Sequence, residues 1–424
     1  MDDNMASSAN STVKQTGTPI AWVPTLYFAE ALPYVAVMTL SVVMYTNLGL
    51  SNTQLALYTS WLYLPWVIKP LWSPLVDSIR TKRWWILAMQ LLVGASLAAV
   101  ALTLHTAAWI KLSLAALWIM AFSSATHDIA ADGMYILGLN EKEQAFYVGW
   151  RSTFYRIGTI FCQGLLVMFA GFLEKKYNVP LAWSIVMGLM GGLMAALALW
   201  HTVALPHPDA DVAMPVTHGR YNTMSVFLSK KGVLAVVLFM LLFRLPEAQL
   251  AKMAQPFMLR TQAEGGLGLS TTSVGYAYGT LGAIGLLLGG IVAGWLVSRD
   301  GLRRWWWPMV LAISLPDVVY VYMAYTQPSS LWIINACIFT EQLGYGFGFA
   351  AYSLFLVYFS RGACSTSIFS VCTAFQALGM MLPGMVAGYL ADVLGWSTFF
   401  IFVCLCCLVT FLVSALVKLP EDIT

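Results

Sequence analysis

Apolar residues run in long blocks along the whole chain, and the blocks have the length that membrane-spanning helices need. A helix of roughly 20 mostly apolar residues crosses about 30 Å of hydrocarbon. Twelve blocks are long enough to do so, separated by short polar stretches, at 22–46, 54–76, 84–104, 109–137, 146–173, 181–205, 233–258, 273–297, 305–326, 331–359, 363–389 and 396–418. The pattern predicts an all-α membrane protein with twelve transmembrane helices.

Short motifs occur once in each half of the chain. Leu-Gly-Leu-Ser-Asn-Thr at 48–53 returns as Leu-Gly-Leu-Ser-Thr-Thr at 267–272, and Ala-Gly-Phe-Leu at 170–173 returns as Ala-Gly-Tyr-Leu at 387–390. The near-constant offset predicts two parallel six-helix bundles, the pattern of major facilitator transporters, with a solute site between them. We expect a cytosolic tail at 1–21, bundles at 22–205 and 233–418, a cytosolic linker at 206–232 and a second tail at 419–424.

Composition and charge agree with a membrane protein and exclude other classes. With 59% hydrophobic and 10% charged residues, no soluble domain could cover its apolar surface. Lys and Arg are concentrated in alternate loops, which predicts cytosolic termini. The net charge of +3 reflects this bias, so no nucleic-acid partner is expected. The seven cysteines lie in or at the ends of apolar blocks without ligand spacing, so we predict no metal and no cofactor.

Charged side chains inside the predicted helices are the strongest functional signal. A carboxylate at bilayer depth costs at least about 2.5 kcal/mol, so such groups face a watery cavity or a partner and mark solute or proton pathways. In facilitator folds helices 3, 6, 9 and 12 are peripheral, and only Asp317 falls in one of them; we assign it no role. The set is Glu30, Asp128, Asp132, Glu247, Asp317, Glu341, Lys69, Arg151, Arg156, Arg244 and Lys252.

Helix 4 carries two acids four residues apart, on one face. Helices 4 and 5 are predicted to form a tight antiparallel pair, in which Asp128 lies at the depth of Arg156 and Asp132 at the depth of Arg151. An acid that pairs reversibly with a base suits proton coupling, so Asp128 is the first candidate for the proton site. The Asp132 and Arg151 pair is either a fixed structural pair or a gating pair.

Three further acids are alternative proton sites. Glu30 lies just before Pro33, and Glu247 directly follows Pro246, at equivalent places in the two halves. Proline breaks helix regularity, which is tolerated where backbone lines a cavity. Glu341 lies beside a run of glycines in helix 10. Each of the three could carry the coupling proton.

Basic and aromatic side chains are candidate solute contacts. Arg suits bidentate carboxylate binding, Lys a point contact, and aromatic faces the apolar faces of sugar rings. Two alternatives stay open: Arg244 and Glu247 are three residues apart and could pair only with each other, and His127 could be a satisfied polar residue or a solute contact. The candidates are Lys69, His127, Arg156, Arg244, Lys252, Trp66 and Tyr345.

The short loop after helix 2 is a candidate inner gate. It carries Asp77 with Arg80 and Arg83, and charge pairing there could lock one conformation. A positive-inside anchor explains the two bases but not the acid.

Five separated motifs in the same order resemble the AmpG muropeptide permease family. They lie at 69–77, 124–133, 155–158, 339–343 and 395–399. The resemblance implies proton-driven uptake of anhydromuramyl peptides or related amino sugars across the bacterial inner membrane. The expected partners are that solute, protons and the lipid bilayer, and we expect the monomer to be functional. An exporter of amphipathic compounds and an acyl-CoA-type anion transporter are the alternatives; an intramembrane enzyme that uses His127 and Asp128 is a third, disfavoured by the duplicated halves.

Overall fold

The computed structural model describes residues 18–209, 211–212, 223–361 and 365–419, which are almost entirely helical and form no strand. Twelve membrane-spanning segments, α1 to α12, confirm the predicted fold class. Eleven contain a helix long and apolar enough to cross a membrane, and the second is split in two. They are α1 Pro19–Asn47, α2 Asn52–Trp61 with Leu64–Ile79, α3 Lys82–Thr103, α4 Trp109–Gly138, α5 Lys142–Lys176, α6 Val179–Ala204, α7 Val233–Leu259, α8 Thr271–Asp300, α9 Leu302–Thr326, α10 Leu331–Ser360, α11 Ser365–Leu394 and α12 Trp396–Leu416.

The proposed domain boundaries remain predictions. A short helix at Thr223–Leu228 lies within the predicted linker. Residues 213–222 of that linker, and most of both predicted tails, lie outside the described residues. We refer below to α1–α6 as the N bundle and to α7–α12 as the C bundle.

Prolines occur where the helix of α2 and that of α7 stop and restart, and Pro316 lies in a short 3₁₀ turn, Leu315–Asp317, within α9. In α2 the helix stops at Trp61 and restarts at Leu64, with Pro65 in its first turn. In α7 it stops at Leu242 and restarts at Leu245, just before Pro246. Proline has no N–H to donate, so a new first turn forms where a continuous helix would lose a hydrogen bond. The sequence anticipated the break at Pro246 but predicted α2 as one helix.

Three spans contain π-helical turns, which are often found at functional sites. They lie at Ala36–Leu40 in α1, Phe161–Leu166 in α5 and Gly275–Gly282 in α8. The turn in α1 begins three residues after Pro33, in agreement with the irregularity predicted there.

Helices α4 and α5 are not the tight pair that the sequence suggested. Helix α4 packs mainly on α3, whereas α5 packs mainly on α1. The short turn between α4 and α5 fixes their depth but not which neighbour each one contacts. Equal depth in the membrane therefore does not by itself determine which charged residues of α4 and α5 are partners.

The two bundles are joined most strongly at one end, formed by residues 48–51, 177–178, 260–270 and 395. The sequence predicts that this end faces outward, and we call it the outer end. The largest apolar cluster includes buried residues of both bundles, among them Leu50, Ala56 and Phe257. Hydrogen bonds between the bundles are concentrated there too, such as that from Arg260 Nε to Asn52 Oδ1 at 3.3 Å. The structure is therefore closed at the outer end.

Candidate functional site

A cavity of about 570 Å³ lies between the two bundles. That volume is typical of sites for small molecules. Its walls come from α1, α2 and α5 on one side and α7, α8, α10 and α11 on the other, and they are rich in Tyr, Gln and charged groups. The polar lining includes Tyr27, Glu30, Tyr34, Tyr63, Arg151, Tyr155, Arg156, Gln163, Arg244, Glu247, Gln255, Tyr278, Gln342, Tyr345 and Gln376.

Three arginines line this cavity, and two of them, one from each bundle, have no acidic partner among its described lining residues. Arg156 lies on α5, and Arg244 lies at the break in α7. Arg244 donates to Tyr345 Oη at 2.5 Å and lies 4.8 Å from the ring centroid of Phe349, and its Nε is buried without a partner. Neither arginine has an ion-pair partner in the part of the chain that is described. The alternative that Arg244 and Glu247 pair only with each other is therefore wrong for this structure.

Asp128 pairs with Lys69 of α2. The predicted partner, Arg156, lines the cavity instead. The carboxyl group of Glu30 lies within hydrogen-bonding reach of Asp128, and its Oε2 is buried without a hydrogen-bond donor among the described residues. Glu30, Asp128 and Lys69 therefore form one cluster of charged side chains from α1, α4 and α2.

Asp132 and Arg151 form the ion pair that their depth predicts. Asp132 Oδ1 lies 2.6 Å from Arg151 Nη2. Tyr27 of α1 completes the arrangement: its ring centroid is 4.5 Å from Arg151 Cζ, and its hydroxyl donates to Asp132 Oδ1 at 3.4 Å. Arg151 lines the cavity, so this pair borders the site and ties α1, α4 and α5 together.

His127 lies away from the cavity in this structure. It is 1% exposed, and its Nε2 lies 3.0 Å from Gln90 Nε2 of α3. Gln90 Oε1 in turn lies 2.9 Å from His201 Nδ1 of α6, and His201 Nε2 lies 3.0 Å from Thr25 Oγ1. Neighbouring residues on a helix point in different directions, so His127 faces α3 and α6 while Asp128 faces Lys69. This chain of polar contacts links α1, α3, α4 and α6.

Three other candidates lie behind the cavity wall. Lys252 is 2% exposed and donates to Thr59 Oγ1 of the N bundle at 3.1 Å, so it belongs to the contact between the bundles. Trp66 packs edge-on against Tyr34, which itself lines the cavity. Glu341 is 3% exposed and accepts from Gln342 Nε2 at 2.9 Å. Lys252 and Trp66, which the sequence predicted as direct contacts, thus lie outside the cavity lining in this structure.

The acid without a predicted role, Asp317, is also buried, at 3% exposure. The Cys407 thiol donates to it at 3.5 Å. It does not line the cavity.

The loop after α2 is bonded to the linker. The backbone N–H groups of Lys82 and Arg83 donate to Asp211 at 2.6 and 3.1 Å, and the Arg83 guanidinium donates to the carbonyls of Thr202 and Leu205. Arg80 Cζ lies 5.9 Å from the ring centroid of Trp84. The side chain of Asp77 lies outside the described part of the structure. A gating role for this loop stays a prediction.

Several uncharged polar residues line the cavity that the sequence analysis did not predict, because it considered mainly charged side chains within the helices. On α5, Ser152, Tyr155, Thr159 and Gln163 all line the cavity. Their spacing of three and four residues is that of one helix face, so a search for polar stripes would have found them. Tyr34, Tyr63, Gln255 and Gln376 carry no comparable pattern.

Two helical bundles around a polar central cavity define a membrane transporter of the facilitator type. The family model of the Major Facilitator Superfamily matches residues 25–382, and the chain belongs to that superfamily. It is a transporter and not an enzyme.

Among curated proteins, the chain is similar to the anhydromuropeptide permease of Escherichia coli (strain K12). The two are 26% identical over 344 residues, which is 80% of this chain and 67% of the relative. This agrees with the resemblance to the AmpG family.

Solved structures share the fold. The nucleoside transporter NupG has a TM-score of 0.68 at 16% identity and covers 94% of this chain and 98% of its own. A D-xylose-proton symporter has a TM-score of 0.71 at 12% identity and covers 94% and 97%. At these identities the likeness concerns the fold alone.

Proposed function

We propose that this protein takes up anhydromuropeptides or related amino sugars across the bacterial inner membrane, coupled to protons, by alternating access. The observation that carries the proposal is the pair of arginines, Arg156 and Arg244, one on each bundle and both without a carboxylate partner among the described residues. A solute with acidic groups supplies what these arginines lack.

The lining of the cavity fits a glycopeptide. Guanidinium groups hold carboxylates in bidentate fashion. Tyr345 positions Arg244 through its hydroxyl, and the rings of Tyr34 and Tyr63 offer apolar faces to sugar rings. Lys69 is paired with Asp128, so it serves the solute only indirectly.

For proton coupling, we propose Glu30 as the acid that exchanges its proton with the cavity. It lines the cavity, has an unpartnered Oε2 and lies next to Asp128, whose charge is balanced by Lys69. A proton on Glu30 allows it to donate to Asp128, and loss of the proton places two negative charges side by side. Glu247 also lines the cavity and is the alternative, whereas Glu341 is further from it.

The gating and topology assignments remain part of the proposal. Asp132 and Arg151 border the cavity, and Asp77, Arg80 and Arg83 lie at the opposite end from the outer end. The proposal also includes cytosolic termini, which the positive charges of the loops predict, and a functional monomer.

Uptake into proteoliposomes tests the proposal. Purified protein is supplied with an inward proton gradient and with labelled anhydromuropeptide, anhydro-disaccharide or free amino sugar. We expect gradient-dependent accumulation of the acidic glycopeptide. We also expect Arg156→Ala and Arg244→Ala each to weaken its binding about tenfold or more, as the loss of a charge-assisted contact implies, and the Lys variants to retain part of it.

The matched control is Lys111→Gln, which removes a positive charge at the outer end of α4, away from the cavity. Its binding and uptake should equal those of the wild type. Accumulation of a neutral sugar with equal efficiency, or outward transport of amphipathic compounds, would contradict the proposal.

A further inference from the structure

The motifs that repeat between the halves meet each other across the bundle interface. Gly171 of α5 lies against the start of α8: a Cβ there would be 2.3 Å from Thr272 N. Gly388 of α11 lies against the start of α2 in the same way, and a Cβ there would be 1.9 Å from Asn52 O. The Ala-Gly-Phe-Leu motif of the N bundle therefore packs on the motif at 267–272 of the C bundle. The Ala-Gly-Tyr-Leu motif of the C bundle packs in the same way on the motif at 48–53 of the N bundle.

One turn beyond each of these glycines a carboxylate crosses to the other bundle. Glu174 of α5 accepts from Thr271 Oγ1 of α8 at 2.5 Å. Within its own bundle it also accepts from Asn47 Nδ2 at 2.8 Å and Trp183 Nε1 at 2.7 Å, which hold its carboxylate in place.

Asp392 of α11 makes the equivalent contact with α2. It accepts from Asn52 Nδ2 at 2.9 Å, from the Thr53 backbone N–H at 2.9 Å and from Thr53 Oγ1 at 2.6 Å. The N–H groups in the first turn of a helix have no acceptor within the helix, and a carboxylate there is favoured by the helix dipole. Asp392 thus caps a helix of the opposite bundle.

We propose that Glu174 and Asp392 form a two-part latch that holds the outer end closed and that both parts release when the cavity opens outward. The inference rests on the proposed transport by alternating access, because only that cycle requires contacts between the bundles to break and re-form. The donors that the opposite bundle offers to the two carboxylates are hydroxyls, a side-chain amide and a backbone N–H. Each such bond contributes modestly, so the latch is reversible.

The glycines determine how closely the two halves of the latch approach. Without side chains at Gly171 and Gly388, the backbones come near enough for Glu174 and Asp392 to reach the helix starts on the other side. Arg260 adds a contact by donating to Asn52 Oδ1 at 3.3 Å, which orients the amide of Asn52 toward Asp392.

Hydrogen–deuterium exchange of the full-length protein in nanodiscs tests the latch without any solute. The variants are Glu174→Gln, Asp392→Asn and the double variant, and the peptides of interest cover 48–56 and 267–275. We expect each single variant to raise exchange at the helix start that its side chain contacts, and the double variant to raise exchange about tenfold at both, as the loss of bonds to a charged acceptor implies.

Glu264→Gln is the matched control. Glu264 is another acid at the outer end, but among the described residues it accepts only from Thr261 within its own loop, at 2.9 and 3.1 Å. Unchanged exchange in the double variant overturns the latch, and so does an equal rise in the Glu264→Gln control, because that would mean general loosening of this end. If the double variant fails to fold, the local effects of the two single variants decide.

The two proposals fail separately. Absence of muropeptide uptake by the wild type contradicts the proposed solute and leaves the exchange result standing. Normal uptake with unchanged exchange contradicts the latch alone.

Discussion

Asp128 on α4 is paired with Lys69 on α2, and Arg156 on α5 is left facing the cavity. The same two helices, α4 and α5, do form the predicted pair between Asp132 and Arg151. One pair therefore anchors α2 to α4 inside the N bundle, and the other borders the cavity. Arg156, which does not pair with Asp128 as predicted, therefore lines the cavity, where the proposed acidic solute would bind.

The first prediction concerns the Lys69 and Asp128 pair. Lys69→Met leaves the half-buried carboxylate of Asp128 without its partner, and we expect a loss of about 1–3 kcal/mol in stability. Combining Lys69→Met with Asp128→Asn should recover part of that loss, because the uncompensated charge is gone. Thermal unfolding in detergent measures both effects. A double variant less stable than Lys69→Met would show that the two residues do not stabilise each other.

The second prediction separates coupling from binding. Glu30→Gln keeps the size of the side chain and removes the exchangeable proton, so gradient-driven accumulation should be lost while exchange of solute across the membrane continues. Accumulation and counterflow in proteoliposomes measure the two activities. The control is Asp209→Asn, which neutralises an exposed acid of the linker and should change neither. Accumulation retained in Glu30→Gln would move the proton site to Glu247.

Much of the architecture could be predicted from the sequence because every helix that crosses the bilayer needs an apolar stretch of about the same length, roughly 20 residues. The repeat of 48–53 at 267–272 indicates two bundles, and Pro246 indicates the helix break at which Arg244 lies beside the cavity. Both features are local, so they can be found without knowing which helices are neighbours.

The partners of buried charges could not be predicted in the same way. Depth along a hairpin places Asp128 level with Arg156, but the direction of each side chain depends on the rotation of its helix against all of its neighbours. Lys69 becomes the partner because α2 packs against α4. For the same reason His127, adjacent in sequence to Asp128, faces away from the cavity.

The third prediction tests the close approach at the outer end. Gly388→Ala places a Cβ 1.9 Å from the Asn52 carbonyl oxygen. The backbones of α11 and α2 can relieve this clash only by moving apart, which separates the two bundles. We expect a loss of about 1–3 kcal/mol in stability, typical of overpacking, together with slower uptake. Gly188→Ala on α6 is the matched control, since nothing lies within 4 Å of its added Cβ. Equal behaviour of the two variants would mean that the bundles do not touch at Gly388.

The fourth prediction asks whether His127 acts on the solute or on the fold. Gln90 bridges His127 and His201 and is fully buried, so Gln90→Leu removes a partner from each imidazole and should cost about 1–3 kcal/mol. The KM for uptake should be unchanged, because none of the three side chains lines the cavity.

The double variant Gln90→Leu with His127→Leu should lose less stability than the two single variants lose together. In the double variant both partners of the Gln90–His127 contact are apolar, so neither is left without a hydrogen bond. Thermal unfolding gives the stability and initial uptake rates give the KM. If Gln90→Leu folds normally but has a raised KM, His127 would instead act on the solute. A residue that only holds α3, α4 and α6 together would change stability and leave the affinity for the solute unchanged.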